Sequence, residues 1–409
     1  MLAAIVVLAS ASGASAQEFS YRGFAELRSI VYPQTTPQDD DRVALEERVR
    51  IDAAYKPAPW LTLAGSAEER LDNVDQVRRT WRLDWRERDV RRSAIAVRQA
   101  VATVRRGPIA LDLGKQFIRW GKADILNPTD RFAPRDFMEV TNDEFLAVTG
   151  TRARFEVGAH SVDVVWVPIF TPSRIPLIGR RWAAVLPQTA VPALIVDRDP
   201  TFPDRSQYGA RWNVIGSGFE LSISYFDGFN HLPQFIADLP NPRATPFVAL
   251  RRSYAPLRST GTDAAVPLRW FTVKGEAAYF NTTSRTADDV VLYVVQIERQ
   301  SGELSLVGGY AGEVVTTRRS EFEFSPERGL TRAFLGRAAY TLDAAREVSV
   351  EAAVRQNGAG TWLKAVYSHA RGAHWRGTLG GALIAGKATD FFGQYRRNSH
   401  VTATLRYSF

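Results

Sequence analysis

Between residues 43 and 55 the chain alternates with a period of two. Val43, Leu45, Val49, Ile51, Ala53 and Tyr55 fall on one face, Glu46, Arg48, Arg50 and Asp52 on the other, and Glu47 breaks the pattern. Successive side chains of a strand point to opposite faces, so this segment makes a ribbon with one oily and one charged side. Such segments recur from residue 20 to residue 409, and no helical period is sustained for three turns. Strands are expected near 20–32, 43–55, 61–71, 93–105, 109–121, 146–157, 161–170, 206–215 and 219–228. They continue near 249–262, 270–280, 289–299, 303–315, 331–342, 346–356, 361–371, 374–386 and 398–409.

That count is eighteen, with 16–18 as its bounds, and Pro256 makes the segment 249–262 the weakest member. Short connections, as at 56–59, 106–108, 215–218, 300–302, 343–345 and 371–373, alternate with long ones at 33–42, 72–92, 122–145, 171–205, 229–248, 281–288, 316–330 and 387–397. A soluble sandwich has no reason to keep so strict an alternation. An all-β, antiparallel up-and-down transmembrane barrel does: short periplasmic turns at one end, long extracellular loops at the other, oily faces toward lipid and charged faces toward the lumen.

The rest of the chain fits that class. No run of eighteen apolar residues offers a transmembrane helix. Residues 2–9 are apolar and lead into small residues ending at Ala14, Ser15 and Ala16, the layout of a secretory signal peptide over 1–16 ahead of a barrel over 17–409. No Lys or Arg precedes the apolar run, so a start codon further upstream is expected. Cysteine is absent, which an exported chain tolerates when a closed hydrogen-bonded ring replaces disulfide staples. The net charge of +8 has two readings: a basic drift carried by Arg, or a cationic lumen that draws anionic solutes. The charges alternate with acids throughout, so the basic, aromatic-interleaved patch of a nucleic-acid site is missing.

Two loops stand out. The one over 122–145 holds Lys122, Asp124, Asp130, Arg131, Arg135 and Asp136, and is expected to constrict the lumen. The one over 171–205 mixes apolar residues with Arg174, Arg180 and Arg181, too apolar for disorder, and is expected to cover the mouth and pack on the first. The inward faces carry Arg48, Arg50, Arg70, Arg152, Arg154, Arg211, Lys274, Arg355 and Arg406 as candidate selectivity residues. Glu46, Asp52, Glu68, Glu156, Asp163, Glu220, Glu276 and Glu351 are their opposite-sign neighbours. Trp60, Trp81, Trp85, Trp166, Trp270, Trp362 and Trp375 lie near strand ends, where about half should form interfacial girdles. The final strand alternates and stops on Tyr407 and Phe409, resembling the signal read by the outer-membrane barrel-assembly machinery.

The string "GKQFIRWGKADILNPTDRFAPRDF" over 114–137, "VPIFTPSRIP" over 167–176, and the stretch from Tyr254 through Gly261 and Asp263 to "KGEAAY" at 274–279 carry a family resemblance. They resemble a family of uncharacterised bacterial outer-membrane β-barrel channels and, more distantly, barrels that export alginate. The resemblance implies a monomeric outer-membrane channel, with lipid or polymer export as the service often assigned to members, and supplies no catalytic residue.

The leading expectation is a channel for polar or anionic solutes, or an exported polymer, set among outer-membrane lipids and lipopolysaccharide. The alternatives are a lipid or hydrophobic-substrate transporter working with a periplasmic or inner-membrane exporter, and a structural or surface-binding barrel. No enzyme is expected. Of His160, His231, His369, His374 and His400 only His231 is placed for rim chemistry, and no nucleophile turn accompanies it. No cofactor is expected, and no cluster has metal-ligand spacing; the acidic run 39–41 reads as a solvated tip or a loose divalent-cation site.

Overall fold

A computed structural model describes residues 18–183, 194–238, 247–319 and 324–409. The expected signal peptide lies outside the described residues. Eighteen strands form the wall: β1 (Glu18–Val31), β2 (Val43–Ala58), β3 (Leu61–Asp72), β4 (Arg92–Arg106), β5 (Ile109–Gln116), β6 (Val148–Val157), β7 (His160–Ile169), β8 (Gln207–Gly216) and β9 (Phe219–Phe229). After them come β10 (Pro256–Pro267), β11 (Thr272–Asn281), β12 (Asp289–Ser301), β13 (Leu304–Thr317), β14 (Ala333–Asp343), β15 (Arg346–Arg355), β16 (Gly360–Arg371), β17 (Trp375–Gly386) and β18 (His400–Ser408).

Each strand pairs antiparallel with the next, and β18 returns to β1, with Phe24 opposite Ser408 and Val31 opposite Val401. Gly23 N–H donates to Phe409 O at 2.8 Å and Phe409 N–H to Gly23 O at 3.0 Å, so the ring closes beyond the last strand residue. Closure leaves no edge with unpaired backbone groups, the condition for a sheet to stand in hydrocarbon.

Burial is inverted relative to a soluble protein. Val43, Leu45 and Ile51 are 44%, 44% and 46% exposed, while Glu68 and Arg70 are each only 5% exposed. The oily face therefore forms the outside of the ring, and its solvent is lipid. Trp60, Trp270 and Trp375 sit exposed at the short-turn end, where an amphipathic ring meets headgroups. Trp362, also near a strand end, is not one of the girdle residues: it lies on the inward face and packs into an apolar cluster with Leu335, Ala353 and Ile384.

Three strands also differ from the sequence reading, the first being Val77–Asp84, which lies in the expected 72–92 loop and pairs parallel with β4. The strand expected over 109–121 stops at Gln116, because residues 117–121 turn off the wall into the lumen. The strand expected over 249–262 is two pieces. Phe247–Ser253 pairs with Leu194–Arg198 and Gln234–Asp238 in a three-stranded sheet within the loops, and β10 begins only at Pro256. Proline lacks a ladder donor and is tolerated as the first residue of a strand. An eighteen-strand ring is too wide for wall side chains alone to fill, and loop segments supply the rest of the interior.

Candidate functional site

The loop over 117–147 runs inside the barrel. Gly114 and Gly121 have φ of 118° and 93°, and the chain leaves the wall between them. Ile118, Trp120 and Phe132 then pack on Val148, Val165, Val167 and Phe226, which are inward-facing residues of β6, β7 and β9. Trp120 and Phe132 meet edge to face with centroids 5.2 Å apart, and Phe132 meets Phe226 likewise at 4.9 Å. The Trp120 indole N–H donates to Asp163 at 3.1 Å.

Glu276 on β11 fastens the next turn. One carboxylate oxygen accepts the Thr129 N–H and hydroxyl, both at 2.8 Å, and the other accepts the N–H groups of Lys122 and Ala123 at 3.1 and 3.2 Å. Gly121 makes this approach possible: a Cβ there would lie 2.6 Å from the same carboxylate. Lys122 Nζ reaches Asp263 at 2.9 Å and Glu220 at 3.0 Å, and Asp124 takes Lys274 at 3.0 Å while its N–H donates to Gln296 at 2.9 Å.

The far half of the loop meets the other wall. Asp136 accepts Arg92 through two nitrogens at 2.8 and 3.0 Å and Arg174 at 3.3 Å. Glu139 takes Arg28 through two nitrogens at 3.0 and 2.8 Å, and Glu144 takes Arg48 at 2.6 Å and Arg70 at 2.9 Å. β2 and β3 are nine strands from β11 and β12 in a ring of eighteen, so the loop crosses the lumen along a diameter. Burial alone would raise Asp136, Glu139 and Glu144, but the facing guanidiniums outweigh it and hold all three below the usual carboxylate range. Asp130 is the opposite case: fully buried, it is pushed up despite accepting the Trp120 N–H at 3.1 Å and Arg119 at 3.2 Å. Arg131 pairs with Glu327 at 2.9 Å, and Arg135 with Asp143 at 2.8 Å.

No protein-family model matches this chain, and no curated protein matches it. Solved structures do. The chain is similar to Acinetobacter baumannii OccAB4, with a TM-score of 0.55 at 10% identity over 96% of this chain and 97% of that one. It is similar to the Pseudomonas aeruginosa outer membrane protein OpdK, with a TM-score of 0.53 at 9% identity over 95% of this chain and 98% of that one. Pseudomonas aeruginosa OpdQ gives a TM-score of 0.50 at 11% identity over 95% and 98%. The fold is that of bacterial outer-membrane barrels.

In this barrel the nine basic residues singled out on the strands all face inward, and each is matched by acceptors. Arg48 and Arg406 share Glu26, Arg50 and Arg70 share Glu68, Arg152 holds Asp163, and Arg154 holds Asp112 at 3.0 Å. Arg211 holds Asp263 at 2.9 Å and Lys274 holds Glu298 at 2.6 Å. Arg355 is tied to Asp390 at 3.1 Å and to Gly329 O at 3.0 Å, so it anchors two loops at the long-loop end. The wall is thus a mixed-charge ladder, and the net positive charge of the chain does not translate into bare lumen cations at these positions.

The described part of the 171–205 loop packs on the first loop as expected. Arg174 N–H donates to Arg135 O, Phe137 N–H donates to Arg174 O, and Arg181 and Trp182 reach Asp41 and Tyr32. His231 is buried, stacked on Phe170, with its ring nitrogens 2.6 Å from Thr171 O and 3.1 Å from Arg131 O, so it ties loops together. In the acidic run, Asp39 accepts the Arg181 N–H and Asp41 faces Arg180. Beside the transverse loop, against β12–β16, remains a cavity of about 560 Å³.

Two features escaped the sequence reading: Glu276 as the hub of the loop, and the apolar part of the lumen wall. The first had a faint signal, since Glu276 lies in the conspicuous "KGEAAY" stretch. The second had a clear one in runs such as 290–295, where both alternating faces are apolar.

Proposed function

We propose that this chain is an outer-membrane channel for small polar and charged solutes, constricted by the loop over 117–147. The observation that carries the proposal is the loop's path: it crosses the lumen and is held on both walls by charge-assisted hydrogen bonds. In this reading Lys122, Asp124, Asp130, Arg131, Arg135 and Asp136 fix the loop's shape, and the mixed-charge ladder sets a field across the water beside it. The matched arginines take away the basis for an anion preference, and polymer export rests on the family resemblance alone. Tyr407 and Phe409, outward on the closing seam, would be presented to the assembly machinery. Single-channel recording in planar lipid bilayers tests the proposal. Discrete conductance steps are expected, and a barrel that stays silent even with residues 122–145 removed would overturn it.

A second reading has its own support. Leu335, Ala353, Trp362 and Ile384 form an apolar inward patch joined by Phe392 and Tyr395 from the last loop, as a carrier of hydrophobic substrate served by a periplasmic exporter would need. Lipid co-purifying in stoichiometric amount would favour it.

A further inference from the structure

The cavity beside the transverse loop has two unlike ends. Toward the long loops it is lined by Leu126, Phe137, Leu335, Trp362, Phe391 and Phe392. Leu335, Ala353 and Trp362 are register neighbours on β14, β15 and β16, and form one inward row. Six residues down β15, about 20 Å along the strand, lies Glu347, opposite Thr341. On the far side of Thr341 is Glu303, joined to it by the Thr341 N–H to Glu303 O bond at 3.0 Å. Both carboxylates line the cavity, both are exposed, and neither has a basic partner within salt-bridge distance among the described residues.

Every other carboxylate lining the cavity has a basic partner. Asp143 has Arg135, Glu327 has Arg131, and Glu351 has Arg337 at 3.5 Å, with Lys364 beside it in register. Asp124 and Glu298 share Lys274. The uncompensated negative charge is therefore gathered at the short-turn end, and the apolar surface at the other.

We propose that this cavity is a binding site for amphipathic organic cations, an aryl or alkyl body seated against Leu335 and Trp362 with its ammonium group toward Glu303 and Glu347. The proposal rests on the channel reading and names the solute class that reading would favour. A body lacking the charge loses the carboxylates. One lacking the apolar part loses the burial, and an anion of the same shape meets repulsion.

The test is calorimetric titration of the purified barrel with 10-phenyldecylammonium, whose extended length approaches the spacing of the two ends, and with methylammonium and 10-phenyldecanoate. The first should bind, with methylammonium and the carboxylate at least tenfold weaker. In water a carboxylate at contact is worth about fivefold in affinity, less after salt screening. The double variant E303Q/E347Q should therefore weaken 10-phenyldecylammonium about tenfold and leave 10-phenyldecanoate no weaker. Both positions are exposed at the turn end, so the barrel should fold, which its heat-modifiable gel mobility checks. Equal binding of the anion, or an affinity unmoved by the double variant, would overturn the site. Bilayer conductance measured on the same preparation separates the two ideas: binding without conductance sinks the channel and keeps the site, and conductance without binding does the reverse.

Discussion

Replacing Glu276 by Gln tests the crossing of the lumen at its most concentrated point. The carboxylate accepts four hydrogen bonds from the loop, two at each oxygen. An amide keeps one acceptor oxygen and turns the other position into a donor, so either the Lys122 and Ala123 amides or the Thr129 pair lose their acceptor. A buried donor left unmade costs roughly 1–3 kcal/mol, which gives about 2–6 kcal/mol against docking. Lumen water can reach part of the turn, so the lower end applies. About 2 kcal/mol corresponds to roughly a thirtyfold rise in the undocked population. Hydrogen exchange of the amides at 122, 123 and 129 should accelerate by about that factor, and open-channel noise should rise. The thermal unfolding midpoint should scarcely move, because the ring of strand pairs is untouched. If exchange at these amides stays within about threefold of the parent, the carboxylate does not hold the loop and the argument fails.

Gly121→Ala should displace the same turn by a different route. Its φ of 93° disfavours any Cβ, and the methyl would meet Glu276 at 2.6 Å, so a cost of about 1–3 kcal/mol and similar exchange at 122–124 are expected; unchanged exchange would contradict the contact. The opposite anchor should be acid-resistant. Asp136, Glu139 and Glu144 are depressed in the folded state, so their contribution is complete above the ordinary carboxylate range near pH 4 and is lost only as pH falls below it. Asp130, raised by burial, shifts the balance the other way over the same acidification. Conductance at pH 5 should match that at pH 7, with a transition only in stronger acid; a transition centred near pH 6 would refute the ion-pair account. Removing Phe409 takes away both seam hydrogen bonds to Gly23, and surface-exposed barrel in cells should fall severalfold, as read by heat-modifiable gel mobility.

The wall was legible because period-two alternation and the rhythm of short and long connections report directly on strands and hairpins. β2 shows this most plainly: apart from Glu47, its odd positions from Val43 to Tyr55 are apolar and outward, and Glu46, Arg48, Arg50 and Asp52 at even positions are inward. β5 was read too long because Ile118, Arg119 and Trp120 alternate again after the chain has left the ladder. Ile118 and Trp120 use that alternation to grip the lumen wall, and the local sign of the departure is a change of phase: the oily positions are odd at Ile109, Leu111 and Leu113 and even at Ile118 and Trp120. The inward face of β12, where Val290, Leu292 and Val294 are buried, was misjudged for a related reason. A strand covered by lipid on one side and by loop side chains on the other is apolar on both, and periodicity vanishes as it does in any doubly covered strand. Partners distant in sequence, such as Arg28 with Glu139 or Gly121 with Glu276, become visible only once the ring is closed.

The path of the loop from Arg48 and Arg70 to Glu276 and Gln296 has a mechanical consequence. An unbraced cylinder of eighteen strands can flatten toward an ellipse under lateral pressure, and its cross-section then follows the tension of the surrounding leaflet. A strut fixed at both ends of one diameter resists that flattening along its own axis, so the aperture beside it should keep its shape as the bilayer stretches or thickens.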